Sequence, residues 1–288
     1  MRREIKHIFS GEPVTEGAGV KLRRVFGYHE ASLFDPFLLL DDFRSDRPED
    51  YLKGFPWHPH RGIETITYVL QGDVTHGDSL GNAGTISTGD VQWMTAGSGI
   101  VHQEMPKGDS QGRMHGFQLW ANLPAAQKMI EPRYRDITSK DIPEVTTRDG
   151  VRIKIIAGTL GRTSGPVDDV VISPEYLDCT VPPRTEFVHP TRRGHTALIY
   201  VIEGEGTVNT APVTNRQLIL FADGDELAVI AGEHSLRFLL CSGRPLGEPI
   251  AWRGPIVMNT REELEQAYQD LREEVFIKHP PRHLAEEK

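Results

Sequence analysis

Two short patterns in the first half of the chain carry side chains that bind transition metals. The segment FPWHPHRG places His58 and His60 two residues apart, and HQEM places His102 and Glu104 at the same spacing. Residues two apart on an extended strand point to one face of the sheet, so each pair can direct its side chains at a single ion. Two such pairs can supply four ligands to one metal.

Three imidazoles and a carboxylate form a nitrogen and oxygen ligand set without thiolate. This set suits Fe(II), Mn, Ni, Cu or Co, and Zn is a further option. An octahedral ion bound in this way keeps positions for solvent and substrate, whereas a structural zinc site is usually closed with cysteines. An HxH pair by itself is weak evidence, because the chain contains 12 histidines.

An internal repeat tests whether these side chains have only a structural role. Three short motifs recur at an offset of 132 residues, and two more recur at 135 residues: Arg61-Gly62, Tyr68-Val69 and Gly72, then Gly89-Asp90 and Ala96-Gly97. On this alignment the four candidate ligands correspond to residues without metal-binding side chains, Pro190, Arg192, Arg237 and Leu239. A structural need would be present in both copies, so we interpret the four residues as a metal site of the first copy.

The elements that must position this site are short strands. Each copy contains an alternating segment (ETITYVL and TALIYVI), a glycine turn, and a Gly-Asp turn before a further strand (DVQWM and DELAVI). Strands at this spacing predict an all-β fold of barrels or sandwiches. We expect two domains, a metal-binding barrel over residues 1–140 and a barrel without ligands over 141–288, with a proline-containing linker region at 122–150.

The end of the chain predicts one amphipathic helix. Thr260 and Glu263 form a capping-box pattern, and Leu264, Tyr268 and Leu271 follow at helical spacing. We expect this helix to close the structure against a barrel.

Charge and composition exclude several classes of function. The formal net charge is -9, and no long run of lysine and arginine is present, so direct nucleic-acid binding is not expected. The apolar stretches are too short to cross a bilayer, and the first residues do not resemble a signal peptide. Cys179 and Cys241 are the only cysteines, which favours a reducing compartment, the cytoplasm or a eukaryotic nucleus.

Four long segments resemble the pirin family of the cupin superfamily: GFPWHPHRGIETITYVLQG, AGSGIVHQEMP, LWANLPAAQKMIEPRY and RPLGEPIAWRGPIVMNT. The resemblance implies a bicupin, two antiparallel β-barrels of the jelly-roll type face to face with a short C-terminal helix. It also implies one divalent metal, foremost Fe(II), in the N-terminal barrel with the ligands His58, His60, His102 and Glu104. We expect a monomer.

The chain departs from the general cupin pattern at two positions. Glu64 stands where cupins often place a ligand, yet Gly72 follows it one residue late, and Gly97 replaces the usual proline. We therefore interpret Glu64 as a buried carboxylate that pairs with Arg61 or with the outer nitrogen of a ligand histidine. His76 and His115 are interpreted as pocket or surface histidines. Phe55, Trp57 and Trp93 are interpreted as core residues, with a wall that excludes water from the site as the alternative.

Pirins resemble quercetinases, which open flavonol rings with O2 and release carbon monoxide. On this hypothesis a flavonol and O2 are the substrates, and Glu104 accepts the proton of the flavonol 3-hydroxyl. The alternative is a non-catalytic, iron-dependent regulator that binds a protein partner, either as a transcriptional co-regulator or as a modulator of a metabolic enzyme. A storage-type or sugar-binding cupin without metal is a third option. Turnover requires a cavity at the metal that is wide enough for a three-ring flavonol, which a regulator does not need.

Overall fold

The chain folds into two compact units, which we name the N-barrel and the C-barrel. The computed structural model describes residues 1–168, 170 and 172–279. The N-barrel consists of Glu12–Ala31, Phe37–Ser139 and the described residues from Gly247 onward, and the C-barrel of Met1–Gly11, Ser32–Pro36 and Lys140–Leu246. Both ends of the chain therefore contribute to a barrel distant from them in sequence. The sequence-based division into 1–140 and 141–288 stays a prediction.

The fold is predominantly β. The first strands in chain order are β1 (Ile5–Phe9), β2 (Glu12–Glu16), β3 (Val20–Phe26), β4 (Phe37–Asp42), β5 (Phe55–His60), β6 (Ile63–Gln71), β7 (Asp73–Asp78), β8 (Ala83–Ile86) and β9 (Val91–Thr95). The next are β10 (Ile100–Lys107), β11 (His115–Asn122), β12 (Arg133–Ile137), β13 (Glu144–Thr146), β14 (Arg152–Ala157), β15 (Thr159–Leu160), β16 (Thr163–Ser164), β17 (Glu175–Val181) and β18 (Glu186–Pro190). The last are β19 (Thr196–Glu203), β20 (Glu205–Val208), β21 (Ala211–Thr214), β22 (Leu218–Phe221), β23 (Glu226–Ala231), β24 (Leu236–Gly243), β25 (Ala251–Arg253) and β26 (Ile256–Met258). The two α-helices are α1 (Ala31–Phe34) and α2 (Arg261–Arg272), and single 3-10 turns occur at Pro48–Asp50 and Ala125–Gln127.

Each barrel is built from a seven-stranded and a four-stranded sheet. In the N-barrel the strand orders are β12-β9-β6-β11-β4-β3-β2 and β5-β10-β7-β8. In the C-barrel they are β1-β22-β19-β24-β17-β14-β13 and β18-β23-β20-β21. The prediction of an all-β fold with two copies of one β unit is confirmed. By their places in the sheets, β18 and β23 are the equivalents of β5 and β10.

The interiors of the two barrels differ in polarity. The C-barrel has a continuous apolar core that includes Ile199, Val201, Phe238 and Leu240. In the N-barrel several polar side chains are almost fully buried: Thr65, Thr67, Gln92, His102 and Glu104. Buried polar groups are costly unless they are hydrogen-bonded or bind a ligand. We therefore expect a functional site in the interior of the N-barrel.

The C-terminal helix forms as predicted. The Thr260 hydroxyl accepts a hydrogen bond from the Glu263 backbone N–H at 3.1 Å, and the Glu263 carboxylate accepts one from the Thr260 N–H at 3.0 Å. The helix packs through Leu264, Tyr268 and Leu271 into a cluster that also contains Val101 of β10. The barrel that it covers is therefore the N-barrel. Within the described ranges, no helix is long and apolar enough to cross a membrane.

Candidate metal centre

Antiparallel pairing of β5 and β10 brings the predicted histidines together. His58 lies directly opposite His102 in the register of these strands, and His60 follows two residues after His58 on the same face. The ligand atoms of all three imidazoles lie within 4.8 Å of one another. The three-histidine part of the predicted ligand set therefore converges in one place inside the N-barrel.

The spacing of the ring nitrogens fits one metal ion. His58 Nε2 lies 3.0 Å from His60 Nε2 and 2.9 Å from His102 Nε2. Two nitrogen ligands at about 2.1 Å from one ion lie about 3.0 Å apart when they are at right angles, and about 3.4 Å apart at the tetrahedral angle. The observed distances therefore fit adjacent ligands of an octahedral ion.

Backbone carbonyls fix the orientation of two of the three rings. His58 Nδ1 lies 2.9 Å from the carbonyl oxygen of Pro56, and His60 Nδ1 lies 3.0 Å from that of Pro255. Because a carbonyl only accepts, each Nδ1 carries the proton, and each Nε2 presents a lone pair to its neighbour. Two lone pairs facing each other at 3.0 Å are unfavourable unless a cation lies between them. The donor set thus fits a bound metal.

The buried rings are in the charge state that ligation requires. Burial, together with the neighbouring histidines, lowers the pKa of His60 and His102 well below the usual value. Both imidazoles are therefore neutral near pH 7, and neutral imidazole is the metal ligand. Among the described residues, His102 Nδ1 has no hydrogen-bond partner.

Glu104 lies beside the histidines but is held by other residues. It follows His102 on the same face of β10 and is buried, and its Oε2 lies 3.9 Å from His102 Nε2. The Thr67 hydroxyl donates to Oε1 at 2.8 Å, and Gln118 Nε2 donates to Oε2 at 2.9 Å. The group of mutually close ligand atoms contains the three histidines without Glu104. Its role as the fourth ligand stays a prediction.

A chain of hydrogen bonds connects Glu104 to an aromatic side chain that covers His60. Trp120 Nε1 donates to Gln118 Oε1 at 2.9 Å, and Gln118 in turn donates to Glu104. The Trp120 ring contacts the His60 ring edge to face, with centroids 5.1 Å apart. Sequence reasoning missed Gln118 and Trp120. The available signal was their spacing of two residues within the segment FQLWAN, which places both side chains on one face of the strand.

A cavity of about 760 Å³ opens onto His58 and His60. Its wall has an aromatic part, formed by Tyr28, Phe55, Trp57, Trp120 and Trp252, and a polar part, which we call the polar side, formed by Glu16, Arg24, Asp41 and Gln118. Cavities of this size and mixed character are typical of small-molecule sites. The Arg24 guanidinium is held by Asp41 at 2.9 and 3.0 Å, which keeps the polar side in a fixed arrangement.

The structure corrects the interpretations of Trp57 and Glu64 and confirms that of Trp93. Trp57 is 55% exposed and lines the cavity, so the core interpretation was wrong for it and the alternative of a cavity wall agrees with the structure, whereas Trp93 is buried as expected. Glu64 does not pair with Arg61 or with a ligand histidine, because Thr95 donates to its carboxylate and Arg61 binds Asp270. Burial raises the pKa of Glu64, and the hydrogen bond from Thr95 lowers it by a smaller amount.

The two histidines interpreted as pocket or surface residues, His76 and His115, do not belong to the group of three. His76 is buried, with Nδ1 2.6 Å from the Tyr134 hydroxyl oxygen and Nε2 3.2 Å from an Asp136 carboxylate oxygen. His115 is half-buried and contacts the ring of Phe117.

The repeat alignment matched the wrong strand of the C-barrel. Arg237 and Leu239 lie on β24, which corresponds to β11 rather than to β10, and Arg192 lies beyond β18. The error arose from matching two Gly-Asp pairs that lie at different places in the barrels. Gly89-Asp90 precedes β9, whereas Gly224-Asp225 precedes β23. The buried residues of β18 and β23 are, instead, Phe187, His189, Leu227, Ala228, Val229 and Ala231.

The prediction that only the N-barrel carries the metal site does not depend on that alignment, and it stays a prediction. Of those buried residues, only His189 has a metal-binding side chain, and its Nε2 lies 3.2 Å from Glu175 Oε1. In the part of the chain that the structure describes, the three-histidine group is the only set of three close ligand atoms.

The comparisons with known proteins agree with this architecture. The family description Pirin matches residues 19–121, and the Pirin C-terminal cupin domain matches residues 176–277. A pirin-like protein from Caulobacter vibrioides is 46% identical over 270 residues, covering 93% of this chain and 97% of its own length. A protein from Pseudomonas aeruginosa, provisionally named a quercetin 2,3-dioxygenase, is 45% identical over 282 residues, covering 95% and 98%.

A solved structure is similar to this chain over nearly its whole length. The crystal structure of quercetin 2,3-dioxygenase from Acinetobacter baumannii matches with a TM-score of 0.87 and 34% identity, covering 96% of this chain and 99% of that chain. Both family descriptions, the relatives and the two-barrel architecture lead to one conclusion. The chain belongs to the pirin family of cupin proteins.

Proposed function

We propose that this protein is a metal-dependent dioxygenase that opens the ring of quercetin-like flavonols with O2. The relative from Pseudomonas aeruginosa and the structure from Acinetobacter baumannii carry the name of this activity. One divalent transition metal, foremost Fe(II), is held by His58, His60 and His102, with Glu104 as the fourth ligand. Mn, Ni, Cu, Co and Zn are alternatives that the same nitrogen and oxygen donors accept.

The cavity is the observation that carries the proposal. Its volume of about 760 Å³ lies in the range of small-molecule sites and includes His58 and His60 in its wall. A regulator that only senses the oxidation state of its metal needs a solvent-reachable ion, and no cavity of this size. The space beside the histidines therefore favours turnover of a multi-ring substrate over a purely regulatory role.

The aromatic wall suits a planar aromatic substrate. Trp120 and Trp252 have ring centroids 5.9 Å apart, and Tyr28 contacts Trp252 at 5.6 Å. Aromatic rings bind one another by offset stacking and edge-to-face contacts. The polar side of the cavity, with Arg24 and Asp41, supplies a donor and an acceptor for the hydroxyl groups of a flavonol.

Glu104 is the residue that we assign as the general base. The bound metal would supply Lewis acidity toward the flavonol 3-hydroxyl oxygen and the redox chemistry needed for O2. Glu104 accepts the 3-hydroxyl proton, while Thr67 and Gln118 hold its carboxylate in a fixed orientation. Both atoms of O2 enter the cleaved product, and the carbon that carried the 3-hydroxyl leaves as carbon monoxide.

The test is the consumption of quercetin by metal-loaded protein under air. We expect loss of the flavonol absorbance with release of one carbon monoxide per flavonol, and loss of this activity in His60→Ala and Glu104→Gln. His234→Ala changes an exposed histidine of the C-barrel and serves as the matched control. If none of the candidate metals supports flavonol loss in the wild-type protein, the proposal fails and the regulatory alternative gains weight.

A further inference from the structure

Arg61, the residue directly after His60, is buried and holds three parts of the N-barrel together. Its Nε donates to the Ser98 carbonyl at 2.6 Å, its Nη1 to Asp270 at 2.8 Å, and its Nη2 to the Phe276 carbonyl at 2.9 Å. The guanidinium also lies 4.2 Å from the centroid of the Phe276 ring. Asp270 and Phe276 belong to the C-terminal segment, about two hundred residues further along the chain.

The position of Ser98 connects this contact to the second ligand strand. Ser98 lies in the glycine turn between β9 and β10, four residues before His102. One guanidinium thus binds the turn that precedes His102 while its own backbone continues directly from His60. A shift of Arg61 would move both histidines relative to each other. Metal affinity depends on such distances, because ligands must stay close to ideal coordination geometry.

Asp270 is held in the charged state that this contact requires. Burial acts to raise the pKa of Asp270, but hydrogen bonds from Gln266, Arg61 and Lys278 outweigh it and hold the pKa at about 2. Lys278 Nζ lies 3.0 Å from the same carboxylate oxygen that Arg61 binds. Removing one partner of a buried ion pair is strongly destabilising, because the other charge is left without compensation.

The C-terminal segment also contacts the ligand His60 itself. The Pro255 carbonyl accepts the hydrogen bond from His60 Nδ1 at 3.0 Å. Two residues further on, the Val257 N–H donates to the Arg61 carbonyl at 3.1 Å. The buried Lys128 ammonium donates hydrogen bonds to the carbonyls of Gly62 and Val257 at 2.8 and 2.9 Å. Lys128 therefore also connects the C-terminal segment to the residues that follow His60.

We propose that residues 247–279 act as a positioning clamp for the metal site: the Arg61–Asp270 pair holds the Pro255 carbonyl on His60 and so keeps His60 Nε2 directed at the ion. The inference rests on the proposed metal site and not on flavonol turnover. Arg61 and Asp270 are positioning residues, since neither reaches the histidine Nε2 atoms. Metal affinity is then set in part by how firmly the last part of the chain is docked.

The tautomer of His60 in metal-free protein is the most specific readout. We expect ¹⁵N-detected NMR of the imidazoles to show His60 protonated at Nδ1 in the wild-type protein and a mixture of tautomers in Asp270→Asn. Cobalt(II) affinity, followed by visible absorption, is expected to fall by about 10- to 100-fold in the same variant. Arg261→Ala, which removes an exposed ion pair with Glu265 on the same helix, is the matched control and is expected to match the wild type. Asp270→Glu is expected to restore part of the affinity.

A second measurement needs no variant. Coupling between two sites is reciprocal, so a clamp that strengthens metal binding must itself be strengthened by the metal. We expect cobalt(II) to slow amide hydrogen exchange at Val257 and along α2 of the wild-type protein. The proposal is overturned if Asp270→Asn is folded and binds cobalt(II) within twofold of the wild type. Unchanged exchange at Val257 and α2 on metal binding would overturn it as well, and neither result depends on quercetin being a substrate.

Discussion

His58 Nε2 and His102 Nε2 lie 2.9 Å apart, although 44 positions separate the two residues in the chain. The register of β5 and β10 produces this proximity by placing the residues directly opposite each other. Gly97 and Ser98 form the turn that returns the chain toward β5. The metal site is therefore a property of two paired strands rather than of a single motif.

The orientation of Glu104 depends on Gln118. Gln118→Leu removes the donor to Glu104 Oε2 and the acceptor for Trp120 Nε1. We expect the kcat for quercetin to fall by about 10- to 100-fold, because groups that orient a site carboxylate typically contribute this much. Steady-state kinetics of the metal-loaded variant measure the effect, with the exposed Gln111→Leu as control. A kcat equal to that of the wild type would show that Gln118 does not position the base.

Trp252 forms part of the aromatic wall and comes from the C-terminal segment. Trp252→Ala is expected to raise the KM for quercetin by at least about fivefold, because an aromatic contact contributes about 1 kcal/mol beyond its buried area. An unchanged KM would place the substrate elsewhere.

Removal of the metal should destabilise the protein. An ion present at 1,000 times its dissociation constant adds about 4 kcal/mol to the folded state, which corresponds to roughly 10 °C in the Tm of a domain of this size. We expect chelation to lower the Tm of the wild-type protein and to leave that of His58→Ala unchanged. Scanning calorimetry with and without chelator provides the comparison. Equal shifts in both proteins would contradict a metal held by His58.

Gly97 occupies a backbone position that excludes other residues. Its φ is +49°, and an added Cβ would lie 2.2 Å from the Ile130 carbonyl oxygen. Gly97→Ala is therefore expected to cost more than about 3 kcal/mol, because backbone strain and a backbone clash add together. Gly161→Ala, with φ of +61° and no atom within 4 Å, is the control and should cost about 1 kcal/mol. Chemical denaturation of both variants measures the difference, and similar costs would contradict the close approach.

The departure from the usual cupin proline at this position now has a physical explanation. Proline cannot adopt the positive φ of Gly97. The neighbouring Ser98 uses its backbone N–H to bind the Ile130 carbonyl at 2.8 Å and its own carbonyl to bind Arg61. The turn before His102 is thus fixed by backbone contacts to distant parts of the chain.

Short-range patterns predicted the parts of the structure that depend on neighbouring residues. The i, i+2 spacing of His58 and His60 placed both on one face of β5, and the pattern from Thr260 to Glu263 predicted the start of α2. The contribution of the C-terminal segment to the site was missed, because a contact such as that of Pro255 with His60 depends on a backbone carbonyl and leaves no mark in residue type. The equivalence of β18 and β23 to β5 and β10 was missed because a Gly-Asp turn recurs before strands that differ in their place in the barrel.

The metal content of the purified protein tests the central claim most directly. Elemental analysis after anaerobic loading with Fe(II) is expected to give one ion per chain in the wild type. The double variant His58→Ala/His102→Ala is expected to contain none, because it loses two of the three imidazoles that converge at the site. His234→Ala should retain the full content. An absence of metal in the wild type, or an equal content in the double variant, would contradict a mononuclear site in the N-barrel.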